Sequence, residues 1–161
     1  MKTAKDYLPT QYWLMKTEPS VYSIDDLLKA KEDIWDGIRN FQARNFIRDD
    51  IKPGHKVLLY HSNANPSCVV GTMEVLSSPI VDPTAFERDS KYYDPKSDKK
   101  KPRWFSVTVG KAKKFKNLLS LQDLKKHKEL NDMLLLRKGQ RLSILPLSRD
   151  EYHSILGLAG E

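Results

Sequence analysis

Between Ile34 and Phe46 the chain reads Ile34-Trp35-Asp36-Gly37-Ile38-Arg39-Asn40-Phe41-Gln42-Ala43-Arg44-Asn45-Phe46, which gathers a tryptophan, a glycine, two arginines and a group of amides into one short run. These are the parts needed to hold a planar heterocycle. The indole offers a face for stacking, the amides can read polar edges, the glycine lets backbone come close, and the N–H groups of a helix beginning there can meet an anion. Stacking one base on an aromatic side chain is worth about 1–3 kcal/mol. On composition alone Trp35 serves equally well as plain core, and Arg39 and Arg44 as salt-bridged surface residues.

Other chemistries find less support. His55, His61, His127 and His153 show no i, i+4 pairing and no cysteine cluster beside them, so no metal ion is expected. The seven glycines form neither a phosphate-cradling P-loop nor a dinucleotide fingerprint, and no cofactor is expected. Tyr60-His61-Ser62 sets a hydroxyl beside an imidazole, but neighbours along a strand point to opposite faces, which spoils a serine–histidine nucleophilic pair. Cys68 sits beside Val69 and Val70 in an apolar run, the setting of an inert core thiol, and as the single cysteine it rules out an intramolecular disulfide. No catalytic set emerges, and the expected role is not that of an enzyme.

The 161 residues carry a formal net charge of +7, and its placement says more than its size. From Lys91 to Lys128, 13 Lys or Arg stand against 3 acidic residues, whereas the rest of the chain holds 15 basic against 18 acidic residues. All of the positive excess therefore lies in one quarter of the chain. Such segregation attracts phosphates by steering and counterion release. A solvated basic loop that aids solubility is the plainer alternative. With 39% hydrophobic and 30% charged residues the composition is that of a soluble globular protein. No apolar run approaches the roughly 18 residues of a membrane span, and the N-terminus lacks the pattern of a secretory signal. The expected address is the cytoplasm, and the expected state a monomer.

The elements that must position these residues are legible in outline. Residues 1–10 have no period and are expected to be a loose lead-in to a single domain over 11–161. Tyr12-Trp13-Leu14-Met15 suits a buried strand, and Ser23-Ile24-Asp25-Asp26 a capped helix start. A second helix is expected from about Asn40 to Arg48, with Ala43, Phe46 and Ile47 on one face. Lys56 to Ser62 and Cys68 to Leu76 read as two strands. Ser77 to Pro102, with four prolines and many charges, reads as a long surface excursion, and such excursions are often functional. Phe105 to Val109 alternates as a half-buried strand, and Leu118 to Leu130 is expected to be helical. Arg141 to Leu147 is a further strand, with Pro146 favouring an edge. A last helix runs from Ser148 to Leu156 and ends at Gly157. Five or six strands with short helices and no β-α-β repeat favour an α+β domain on a mixed, partly closed barrel.

Several blocks recur in the order and spacing of a known family. Tyr12-Trp13-Leu14-Met15-Lys16-Thr17-Glu18-Pro19, Tyr22-Ser23, the Trp35 to Asn45 segment, Tyr60-His61-Ser62-Asn63, Tyr92-Tyr93-Asp94-Pro95-Lys96-Ser97 and Pro102-Arg103-Trp104 together resemble the EVE domain family from about Tyr12 to Ile155. The resemblance, to a compact bacterial-type member, implies a PUA-like pseudobarrel similar to that of YTH domains. It also implies a non-catalytic reader that accepts a flipped modified base, a modified cytosine in DNA ahead of RNA. On that resemblance Trp35 is the cage tryptophan, and Asn40, Phe41 and Gln42 meet the base edge. Lys16 and Thr17 are pocket walls, and Tyr60, His61 and Ser62 end a neighbouring strand with Ser62 as a hydrogen-bonding group. Trp104 is a second wall or else core. Arg39, Arg44, Lys96, Lys99, Lys100, Lys101 and Arg103 are candidate phosphate contacts. The competing readings are a PUA-like RNA-binding module without modification specificity and a small-molecule nucleotide hydrolase.

Overall fold

Tyr12-Trp13-Leu14-Met15 has no polar face, so a strand made from it must be covered on both sides, and this stretch forms the middle of the molecule. The computed structural model describes residues 2–161. In it β1 (Tyr12–Thr17) lies between β3 (Lys56–His61), to which it is parallel, and β7 (Ile144–Leu147), to which it is antiparallel. The sheet continues from β3 to β4 (Cys68–Val75), then to β6 (Phe105–Ser120) and β2 (Glu32–Trp35), all antiparallel. The short β5 (Ile80–Val81) pairs with the start of β6. Seven strands thus form one mixed sheet, an α+β architecture, and Pro146 lies on its edge strand as a missing N–H requires.

Trp13, Leu14, Met15, Leu58 and Leu59 are fully buried at its centre. Helix α1 (Ile24–Ala30) starts at Ser23, whose hydroxyl accepts from Asp26 N–H while the Asp26 carboxylate accepts from Ser23 N–H. Helix α2 (Phe41–Asn45) passes into one π-helical turn, Phe46–Asp50, and buries Ala43, Phe46 and Ile47 as expected. Short helix α3 (Leu121–Lys125) and the closing α4 (Arg149–Leu158) use the same reciprocal cap at Ser120 and Ser148. Helix α4 runs through Gly157 rather than stopping at it.

Three expectations are corrected. The lead-in is not loose. Met1 lies outside the described residues, but Ala4–Tyr7 is a 3-10 turn, Ala4 and Tyr7 are buried, and the Tyr7 hydroxyl donates to Glu151 Oε2 and Asp132 O, each at 2.9 Å. Leu118–Leu130 is not one helix either. Strand β6 continues to Ser120, leaving Leu118 exposed on it, and only α3 and a 3-10 turn at Lys128–Leu130 follow. Finally, residues 77–102 are not a free excursion. Asp82 is wholly buried, Asp82 N–H donates to Trp104 O at 3.0 Å, and Trp104 Nε1 donates to Asp94 Oδ2 at 2.7 Å, which ties both halves of the segment to the domain.

Candidate nucleic-acid interface

The parallel pairing of β1 and β3 brings their C-terminal ends side by side, with Thr17 opposite His61 and Ser62 N–H donating to Thr17 O at 2.9 Å. Beyond those ends opens a cleft of about 750 Å³, within the size range of small-ligand sites. Lys16, Thr17 and Ser62 line it from this side, Trp35 to Arg39 from another, Lys91 and Tyr92 from the long segment, and Arg141 and Ser143 from the approach to β7. Trp35 ends β2 opposite Val107 of β6, and Asp36 N–H donates back to Ile34 O at 3.1 Å in a tight γ-like turn, so Asp36 also faces the cleft.

The wall after Trp35 is built around Asp82. Its Oδ2 accepts from Gly37 N–H and from Arg39 Nη1, both at 2.9 Å, and its Oδ1 accepts from the Thr84 hydroxyl at 2.6 Å and Thr84 N–H at 2.8 Å. Burial opposes ionisation of Asp82, but those donors outweigh it and hold the carboxyl below the ordinary carboxylate value. Arg39 also donates to Tyr92 O at 2.6 and 3.0 Å, which fixes Tyr92 over Gly37. Gly37 has φ +77°, and a Cβ there would lie 2.6 Å from the Tyr92 ring, so no larger residue fits. Tyr22 meets Trp35 edge-on with ring centroids 6.2 Å apart, and its hydroxyl donates to Asp33 Oδ2 at 2.6 Å. Burial and then that partner push the Tyr22 hydroxyl far above its usual value.

The polar groups left over point to an external partner. Burial lowers the pKa of the Lys16 ammonium, which has no carboxylate partner among the described residues, below its ordinary value. Partial desolvation, then the charges of Asp82 and Asp33, raise the Asp36 carboxyl. Lys91 lies 5.0 Å from the Tyr92 ring centroid, and Arg141 at the rim makes no ion pair among the described residues. Cations and carboxylates are thus presented together with aromatic faces.

Of the predicted residues, the structure brings Trp35, Lys16, Thr17, Ser62 and Arg39 to the cleft and leaves the others outside it. Asn40 Oδ1 accepts from Ala43 N–H at 3.0 Å as the cap of α2, and Gln42 is exposed on that helix. Tyr60 is buried. His61 Nε2 accepts from Ile24 N–H at 3.1 Å, seating α1 on β3, and burial lowers the imidazole pKa. Trp104 is buried with Nε1 donating to Asp94 Oδ2 at 2.7 Å, and Phe41 stacks on it from outside. Arg44 Nη1 donates to Arg103 O at 2.8 Å, and Arg103 lies 3.7 Å from Asp94. Lys96, Lys99, Lys100 and Lys101 are exposed beyond the cleft. Arg39, predicted as a phosphate contact, spends its guanidinium on Asp82 and Tyr92 and acts as a strut. Tyr22, Asp36, Lys91, Tyr92 and Arg141 were missed. The paired tyrosines ahead of Asp94-Pro95 were the one sequence signal for Tyr92.

A second groove, of about 560 Å³, lies between the N-terminal segment and α4, lined by Tyr7, Tyr12, Lys52 and His55 among others. No group of three or more His, Cys, Asp or Glu among the described residues is placed to hold a metal ion. No helix among them is long and apolar enough to cross a membrane.

The EVE domain model matches residues 11–158. The chain belongs to the EVE domain family. Human thymocyte nuclear protein 1 is 34% identical over 168 aligned residues, covering 92% of this chain and 74% of that protein. Among solved structures, a Pseudomonas syringae protein superposes with a TM-score of 0.88 at 38% identity, covering 92% of this chain and 99% of that one. The human protein in complex with DNA containing 5-methylcytosine superposes with a TM-score of 0.84 at 37% identity, covering 93% and 98%. The EVE fold is the PUA-like α+β sheet described above.

Proposed function

We propose that this EVE domain is a non-catalytic reader of DNA that takes one modified cytosine, turned out of its stack, into the cleft beside Trp35. The observation that carries this reading is the indole itself. It is 7% exposed and packed into the core on one side, yet it forms a wall of the 750 Å³ cleft whose rim holds Lys16, Lys91 and Arg141. The human relative's complex with 5-methylcytosine DNA supports the choice of cytosine and of DNA.

The energetics suit a reader. Extruding a base costs a few kcal/mol, which stacking worth about 1–3 kcal/mol per base and new edge hydrogen bonds offset. Carboxylates accept from the exocyclic amine of cytosine, and Asp36 and Glu18 are the cleft carboxylates whose oxygens have no intramolecular partner among the described residues, Asp36 being the one next to Trp35. One added methyl group favours the modified base by about 1–3 kcal/mol. Every wall of the cleft comes from one copy, so a monomer suffices. His61, the imidazole nearest a candidate hydroxyl, is committed to Ile24 N–H, which leaves the cleft without a general base of that type.

The test is a binding panel of short duplexes, each bearing one cytosine, 5-methylcytosine or 5-hydroxymethylcytosine, titrated at several salt concentrations. The expected result is a preference of about ten-fold for one modified base that persists across the salt series. Equal affinity for all three would end the reading. Stronger competition by structured unmodified RNA would replace it with a general RNA-binding role.

A further inference from the structure

Phe41 is 54% exposed, the highest value among the large hydrophobic side chains of the described residues, and yet it is held rigidly. Its ring stacks on Trp104 with centroids 4.9 Å apart and planes inclined by 23°. Trp104 is fixed in turn by its hydrogen bond to Asp94, and the Arg39 guanidinium lies 5.2 Å from its ring centroid. The Arg44 guanidinium is 4.9 Å from the Phe41 centroid and 5.9 Å from that of Trp104. Since Trp104 covers one face of Phe41, the exposed half of the side chain is its outer side, flanked by Arg44.

Arg44 is anchored by its bonds to Asn45 Oδ1 and Arg103 O, both 2.8 Å, and Arg48 and Arg103 crowd it with like charge. A bare aromatic face beside clustered guanidiniums is the combination that accepts a base and the phosphate attached to it. Arg39 joins this platform to the cleft, since it lines the cleft wall while covering Trp104. A strand with one base in the cleft thus passes within a few nucleotides of Phe41.

We propose that the outer face of Phe41 is a second stacking site, which receives an unpaired or end-exposed nucleobase flanking the one in the cleft while Arg44 meets the intervening phosphate. This rests on the reader function proposed above. The platform adds affinity without adding preference for the modification, because every base presents a π-face.

The experiment uses the full chain and a short duplex carrying one 5-methylcytosine, together with the same duplex made abasic at each flanking position in turn. Phe41→Ala is expected to weaken binding about ten-fold for modified and unmodified duplexes alike, and Phe41→Trp to restore it. One abasic position is expected to cost the wild-type protein a similar factor and to cost the Phe41→Ala variant nothing. Additive losses, or wild-type affinity in Phe41→Ala, would overturn the platform. Loss of modification preference in Trp35→Ala with an unaffected Phe41→Ala would retain the cleft and discard the platform alone. Failure of the wild-type protein to bind any of the duplexes would remove both.

Discussion

The cleft beside Trp35 and the groove beside Tyr7 are of comparable size, about 750 against about 560 Å³, but they differ in what they leave unpaired below the surface. In the groove the inner groups are satisfied within the protein, and its cations without an ion pair among the described residues, Lys52 and Arg149, are exposed. The Tyr7 hydroxyl serves Glu151 and Asp132, His55 Nδ1 accepts from Trp13 Nε1 at 3.1 Å, and the Ser148 hydroxyl caps α4. In the cleft the inner shell is satisfied, through Asp82 and through Tyr22 with Asp33, while Lys16, Asp36 and Arg141 keep unspent capacity at the surface of the cavity. A buried group that closes its hydrogen bonds internally rigidifies the fold, whereas one left open recruits a ligand. Concavity and unpaired charge at the rim do not separate the two regions. A desolvated cation without a carboxylate among the described residues, Lys16 in the cavity walled by Trp35, does.

The largest effect is expected where the cleft depends on internal satisfaction. Asp82→Ala leaves Arg39 without its carboxylate and Gly37 and Thr84 without their acceptor, a loss of about 3–5 kcal/mol for a broken buried pair, measured by urea unfolding. The Asp82 carboxyl is depressed in the folded state, so its contribution is complete above the unfolded value near 4. It is lost as pH falls through the lower folded value. The acid limb of the stability curve should therefore flatten in Asp82→Ala. A limb identical to wild type would show that the strut is not under load.

Trp35→Ala is expected to reduce affinity for the modified duplex by about 1–3 kcal/mol and to abolish its advantage over unmodified DNA. As a buried large-to-small change it also costs about 3–5 kcal/mol of stability, so the comparison is made on protein shown by circular dichroism to be folded. Retained preference in the folded variant would move the reading surface elsewhere. Tyr7→Phe is the converse experiment on the groove. It removes a hydrogen bond to a buried carboxylate, about 1–3 kcal/mol of stability, and should leave DNA affinity unchanged. A fall in affinity at constant fold would give the groove a part in binding that its closed hydrogen bonds do not suggest.

Much of the frame was legible in the sequence because its central strands carry unbroken apolar runs. β1, β3, β4 and β7 declare themselves by runs such as Trp13-Leu14-Met15 and Val57-Leu58-Leu59, and α1 and α4 by Ser caps with an acid three residues on, whereas the like cap of α3 at Ser120 went unread. The second half of β6 was not legible. Its buried residues there are Phe115 and Leu119, four apart, with Lys116, Asn117 and Leu118 exposed between them, a spacing that a helix and a one-sided strand share. Within the site, Trp35 and Gly37 were legible from chemistry and Lys16, Thr17 and Ser62 from the family resemblance. Asn40, expected as an edge reader, lies outside the cleft with its Oδ1 capping α2, the usual use of Asn at that position. Asp82 was invisible, since an isolated aspartate in a charged stretch reads as surface until its four donors are seen.

The smallest effect concerns the lysines that dominated the charge arithmetic. Lys99, Lys100 and Lys101 are exposed and lie outside the cleft, and the Lys99 ammonium rests 5.5 Å from the Phe86 ring centroid rather than facing Trp35. Reversing all three to Glu should leave the ratio of modified to unmodified affinity untouched, because none reaches the base. If they meet phosphates, affinity at low salt falls for every duplex, and the slope of log K against log salt shrinks by about 0.9 for each contact removed. An unchanged slope would mean that the loop is merely solvated. Long-range attraction would then fall to Lys16, Lys91 and Arg141, so that the cation ring of the cleft, and not the densest basic stretch of the sequence, brings the polyanion in.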